Sequence, residues 1–199
     1  MESTMYRRSI ILVTGGALLA ACAGDRRAPT GLEVQVPLFS VSADQLKNVG
    51  THVSGDEEVP ARDTRAQGQA MFRISDDGQS IDYKLIASNI DNAFMAHIHM
   101  APVGVNGAIV VWLFPSTTPV PGPLGAGRHD GVLAEGTITA ADLVGPFLHH
   151  PLSDLIDLIQ SGSGYVNVHT NDGVAPTNTG PGDFPGGEIR GQLGHPSQH

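Results

Sequence analysis

Between Gln69 and Ala87 the chain repeats with a period of two on both sides of a short turn signal. Ala70, Phe72 and Ile74 alternate with Gln69, Met71 and Arg73; after Asp77-Gly78, Ile81, Tyr83, Leu85 and Ala87 alternate with Asp82, Lys84 and Ile86. A period of two places every second side chain on the same face of a strand. Two such runs flanking a DG-containing turn predict a β-hairpin with one buried face. The same chemistry recurs downstream. Ala96 to Met100 leads through a Gly/Pro/Asn loop, ending in Asn106-Gly107, to the apolar run Ala108 to Phe114. Turns bound that run and β-branched residues fill it, as in a central strand. Gly131 to Ile138, Tyr165 to Thr170 and Glu188 to Leu193 supply further strand patterns, and the 25 glycines and 14 prolines match the many turns required.

Helical signals are confined to connections. PLSDLIDLIQ, residues 151–160, carries Leu152, Leu155, Ile156 and Ile159 at helical spacing, with Pro151 at its start and Gly162 just beyond its end. Thr139 is placed to cap a short helix over AADLV. The stretches 115–127 and 171–187 are rich in Pro, Gly, Asn and Asp and read as loops. The expected fold is all-β: an antiparallel β-sandwich or barrel-like Greek key of about eight strands, with one or two short helices on connections.

The N-terminus reads as an export signal. Arg7 and Arg8 precede the uncharged run Ser9 to Ala21, too short for a helix across a bilayer, which needs about 20 residues. Leu19-Ala20-Ala21-Cys22 follows and resembles the lipobox of bacterial lipoproteins, in which the cysteine is acylated and becomes the new N-terminus. Cys22 is the single cysteine of the chain, so no internal disulfide can form. Ala23 rather than Asp comes next, which by resemblance to Gram-negative sorting favours the outer membrane. The expected organisation is a signal peptide over 1–21, a lipidated N-terminus and tether over 22–45, one β domain over 46–194 and a polar tail over 195–199. Leu32 to Val36 also alternates and can add a strand.

The formal net charge is −9, and loss of the leader, which holds Glu2, Arg7 and Arg8, makes it one unit more negative. That balance argues against nucleic acid, which requires a basic footprint. It also argues against attraction to anionic lipid, leaving the acyl anchor as the membrane contact.

Three segments in order, SGDEEVPARDTRAQGQAMFRIS, AHIHMAPVGVNGAIVVWL and YVNVHTNDGVAPTNTGPGDFPGGEIRGQL, resemble the chordin-type (CHRD) domain over roughly 49–194. The resemblance implies an exported domain and says little about chemistry. The cysteine-rich modules that accompany the domain in the animal protein are absent from this sequence, so growth-factor sequestration is not implied.

The residues with most chemical potential are His97 and His99. At i and i+2 of a strand, both imidazoles project from one face and can reach one transition metal, copper or zinc. His169 is a third candidate: Val166 and Val168 read as the buried face, which puts His169 with Tyr165 and Asn167 on the other. Glu188, Arg190 and Gln192 share a face of the next strand. If the strands are neighbours, three histidines and a carboxylate converge, with Glu188, Arg190 and Asn167 placed to support the imidazoles. The alternative is that these histidines hydrogen-bond loops or acids such as Asp172 and Glu188. The H-x-H strand is also similar to the copper-ligand strand of copper–zinc superoxide dismutase. That family's disulfide cysteines and further zinc-ligand histidines are missing, so no dismutase activity follows.

His149-His150, His195 and His199 read as solvated. Asp56-Glu57-Glu58, and Asn171-Asp172-Gly173 with Asp183, offer oxygens for calcium but without EF-hand spacing. Glu58 reads as a strand-end residue tied to Arg62, Arg65 or Arg190. There is no G-x-S-x-G elbow and no glycine-rich phosphate loop of the P-loop or Rossmann type.

The leading expectation is therefore a non-enzymatic, lipid-anchored envelope protein acting in binding or structure. A copper- or zinc-binding protein and a metal-dependent enzyme are the alternatives. Cys22→Ser is expected to abolish acylation and move the protein out of the membrane fraction; retention there on fractionation and immunoblotting refutes the anchor.

Overall fold

The computed structural model describes residues 47–194. Cys22, the 22–45 tether with its alternating Leu32 to Val36, and the histidines at 195 and 199 lie outside the described residues. Eight strands are present among the described residues: β1 Asn48–Ser54, β2 Gln67–Ile74, β3 Ile81–Asp91, β4 Ala93–Met100, β5 Ala108–Phe114, β6 Arg128–Ile138, β7 Gly164–Thr170 and β8 Ile189–Gln192. One α-helix, α1 Leu152–Ser161, sits on the connection from β6 to β7.

All eight strands join a single antiparallel sheet in the order β5-β4-β7-β8-β1-β2-β3-β6. Its two end strands, β5 and β6, approach each other, so the sheet is a nearly closed barrel rather than a two-sheet sandwich. Tyr83 of β3 donates its hydroxyl to the Leu113 carbonyl of β5 at 2.7 Å, linking strands that are not neighbours in the ladder. The outer edge of β5 is itself occupied: Val111 bridges Leu143, and Val144 N–H donates to Val110 O at 2.9 Å. Covering an edge in this way removes a template for unwanted strand pairing.

The hairpin read from the alternation is β2–β3, with Phe72 opposite Tyr83 and Ile74 opposite Ile81. Its inward residues Phe72, Ile81, Tyr83, Leu85 and Ala87 are buried. Helix α1 begins after Pro151 and ends at Gly162, whose φ of 75° is the left-handed conformation that terminates a helix. Leu152, Leu155, Leu158 and Ile159 form its buried stripe, Ile156 being only partly buried. The Thr139 cap opens a single 3-10 turn, Ala140–Asp142, closed by a reciprocal capping box. β1 escapes the pattern reading because NVGTHVS places Gly50 and His52 within a short run and buries only Val53.

Leu85 is fully buried at the centre of β3. Leu85→Ala is expected to cost about 2–5 kcal/mol through lost burial and the residual cavity, read as a lower urea midpoint with unchanged far-UV circular dichroism.

Candidate metal centre

β4 and β7 are antiparallel neighbours, and their register sets Met95 opposite His169, His97 opposite Asn167 and His99 opposite Tyr165. β8 lies on the far side of β7, with Tyr165 opposite Gln192 and Asn167 opposite Arg190. Alternation then divides the sheet. Ala96, Ile98, Val166, Val168 and Ile189 enter the hydrophobic core, while the intervening polar residues share the opposite face. That face is not solvated: every residue of β7 is buried.

Three loops cover it. Arg190 donates to Val105 O at 3.0 Å and Asn106 Oδ1 at 3.2 Å, and Gln192 Nε2 donates to Ala101 O at 3.0 Å, fastening the 101–107 loop. Asn106 Nδ2 donates to Val59 O at 2.7 Å and Arg62 Nε to Gly187 O at 3.2 Å, fastening the 58–62 and 182–187 segments.

Beneath the loops, one potential ligand atom from each of His97, His99 and His169 lies within 4.8 Å of the others. Backbone carbonyls assign the protons. His99 Nδ1 donates to Gly107 O at 2.9 Å and His169 Nδ1 donates to Pro185 O at 2.8 Å, so both rings carry hydrogen on Nδ1 and present Nε2 as an acceptor. His97 Nδ1, 3.0 Å from His169 Nε2, must then be the donor of that pair, which occupies His169 Nε2 and leaves His97 Nε2 without a partner, as His99 Nε2 is. Donation of the remote ring N–H to a carbonyl is the arrangement that orients metal-ligating histidines.

Aromatic rings fix the imidazoles. Tyr165 stacks on His99 at 4.7 Å and 7°, and the Arg190 guanidinium lies 3.4 Å over the other partner of the stack, the Tyr165 ring. Trp112 meets His97 edge-on at 4.3 Å.

Among the described residues, five buried side-chain atoms have no hydrogen-bond partner, and four belong to this face or its cover: His97 Nε2, His99 Nε2, Asn167 Oδ1 and Glu58 Oε1. With the protons assigned above, the two imidazole nitrogens are acceptors, as is the amide oxygen of Asn167. A buried polar atom without a partner costs about 1–3 kcal/mol, and such atoms point to an ion or water in the native state. Neutral donors are scarce here, whereas a cation satisfies several lone pairs at once.

Glu58 is the carboxylate of the site. Burial pushes its carboxyl up to about 7, against the opposing pull of the Val59 backbone, the Arg190 charge, the Asn167 amide and the Arg62 charge. Of the three arginines offered for it by the sequence, Arg190 and Arg62 are the two that act on it. Its place in the cluster is invisible to spacing, because a 3-10 turn at Gly55–Glu57 brings it over a sheet face formed more than a hundred residues later.

Glu188, the carboxylate suggested by the strand pattern, precedes β8 and faces other partners. Its oxygens accept from Thr64 Oγ1 and Thr170 Oγ1, each at 2.6 Å, and from Gly182 N–H at 2.8 Å, and none of these is an imidazole. Glu188 therefore ties the 171–187 loop to the sheet. Asn167 and Arg190 do lie beside the histidines. Elsewhere, His150 pairs with Asp154 at 2.7 Å on the surface. Asn171 and Asp172 accept N–H groups two residues on, as turn formers do, and Asp183 accepts from Thr179.

The family model for the CHRD domain matches residues 49–193. The chain belongs to the CHRD domain family. No curated protein matches the sequence. Membership suggests a domain serving binding or structure, and the match spans all eight strands but for the first residue of β1.

Within this CHRD domain the imidazoles are held neutral. Burial, with repulsion from His169 and His99, lowers His97 to about 2; burial lowers His169 to about 4, against the Pro185 carbonyl and with help from His99. Burial also lowers His99, aided by Arg190 and opposed by the Gly107 carbonyl and Asn167. An unfolded chain protonates these rings near pH 6.5. Their contribution is thus complete above that pH and is lost as pH falls toward the folded values. Glu58 has the opposite sign: the folded state takes its proton from about pH 7 downward, the unfolded state only near 4.5. Between pH 6.5 and 4.5, His97 and His169 outweigh Glu58 two to one, and His99 adds to them. Metal-free protein is expected to lose about 1.4 kcal/mol or more per pH unit across that interval. Urea midpoints check this, and His169→Asn should flatten the slope.

Proposed function

We propose that this CHRD domain binds one transition-metal ion, copper or zinc, through His97, His99 and His169, as a binding protein rather than an enzyme. The observation that carries the reading is the convergence of one potential ligand nitrogen from each of three buried imidazoles within 4.8 Å, with His97 Nε2 and His99 Nε2 meeting no hydrogen-bond partner. Imidazole nitrogen suits both metals. Burial supports the same reading: rings that resist protonation to low pH are available as neutral ligands. The loops that seal the face favour retention of an ion over turnover of a substrate.

The chain is proposed to act outside the cytoplasm, anchored by acylated Cys22, with the outer membrane as its site in a Gram-negative host. The leader motif and the lone cysteine support that placement. Among the described residues no helix is long and apolar enough to cross a membrane.

Protein purified without a histidine tag and stripped of metal is expected to bind one zinc or copper(II) ion per chain in titration calorimetry. At a free metal concentration of 100 times Kd the folded state should gain about 2.7 kcal/mol, seen as a rise in Tm. A His97→Ala/His99→Ala double variant should lose both effects. Binding that survives in that variant, or no stoichiometric binding by the parent, rejects the proposal and leaves the histidines as loop anchors.

A further inference from the structure

Three histidines leave a transition metal short of a fourth ligand, and the identity of that ligand separates a closed holding site from an open one. Asn167 occupies the middle of the patch. It stands directly across the ladder from His97 and lies between Tyr165 and His169 on β7. Cross-strand partners on one face have Cβ atoms about 4.5–5.5 Å apart, so its amide is within reach of the site the imidazoles surround. The side chain is 2 % exposed, and its Oδ1 has no hydrogen-bond partner. Asn167 lies close enough to His99 to favour the charged ring, yet neither Asn167 Oδ1 nor His99 Nε2 makes an aligned hydrogen bond. Both lone pairs await a third party.

The other end of the amide is committed. Asn167 lies close enough to the Glu58 carboxyl to favour its charged form, which sets Nδ2, the donor end of the amide, on the Glu58 side. Nδ2 and Glu58 Oε1 converge beside Gly187, where an added Cβ would collide with the carboxylate and meet Nδ2 at 2.9 Å. The φ of +123° at Gly187 likewise excludes a side chain there. The 182–187 loop therefore leaves room for the Glu58–Asn167 contact, and that contact turns Oδ1 away from Glu58.

Resting on the metal-binding reading above, we infer that Asn167 Oδ1 is the fourth donor, completing a closed set of three nitrogens and one oxygen, with Glu58 as the residue that orients the amide. Such a set leaves no position for a substrate and makes the site one that holds or hands over an ion.

Cobalt(II) is the probe, because its visible absorption is strong in a four-coordinate site and weak at higher coordination. The parent protein is expected to bind one cobalt(II) with the intense visible bands of a four-coordinate site. Asn167→Ala should shift and weaken those bands, whereas Asn167→Asp, which keeps an oxygen in place, should retain their intensity. Glu58→Gln should lower cobalt affinity about 10-fold, in the range of residues that orient ligands, with the spectrum of the bound form preserved. A cobalt spectrum unchanged in Asn167→Ala overturns the assignment of Asn167 while leaving the three histidines intact. Failure of the folded parent to bind cobalt, zinc or copper overturns both readings. Far-UV circular dichroism of each variant establishes that it is folded, and the Asp variant tests the assignment if the Ala variant is not.

Discussion

A guanidinium only 1 % exposed stands between the sheet and the loops that cover it. Arg190 reaches up from β8 to the carbonyl of Val105 and the side chain of Asn106, and lies over the ring of Tyr165, which in turn stacks on His99. Burying a charge is costly unless its hydrogens find acceptors. Here the acceptors are backbone and amide oxygens of the 101–107 loop, so satisfying Arg190 also closes that loop over the histidines. Of the two acids that act on Arg190, Glu58 is itself pushed toward neutrality by burial and Glu57 acts more weakly. The guanidinium is thus served mainly by neutral oxygens, and the face carries cationic character without a full counterion.

This arrangement explains why β4, β7 and β8 differ from the rest of the barrel. An antiparallel sheet ordinarily packs one face on the core and leaves the other wet. β6 follows that habit and is largely exposed. The other three strands have an apolar face toward the core and a polar face toward a second, smaller interior made of loops. Polar groups in such a place need partners, and most have them. Glu188 collects three donors, and Gln192 Nε2 finds Ala101 O and Gly162 O at 3.0 and 2.9 Å. Against that background of satisfied groups, four unpartnered polar atoms on this face and its cover form a local exception with a chemical meaning.

Much of this was legible in the residue pattern, and the parts that were not share a cause. The β2–β3 hairpin, α1 between Pro151 and Gly162, and the common face of His97, His99 and His169 follow from periodicities of two and 3.6, which are local properties of the backbone. Glu58 and the fate of Glu188 were not legible. Each depends on where a loop comes to rest, Glu58 over a strand pair far along the chain and Glu188 against Thr64 and Thr170 rather than beside the imidazoles. Leu158 in place of Ile156 in the buried stripe of α1 is a smaller case, set by which part of the sheet the helix meets.

The sequence by itself determined that this chain is all-β, that it carries no internal disulfide and that two imidazoles share one strand face, because alternation and cysteine count need no partner to have meaning. Only the tertiary structure decided that the strands form one nearly closed barrel, that β7 lies between β4 and β8, and that loops seal the histidine face. Those outcomes depend on pairings between segments far apart in the chain, such as β1 with β8 and β4 with β7. No local period encodes which strand will lie beside which; that is settled by the burial and hydrogen bonding of the whole domain at once.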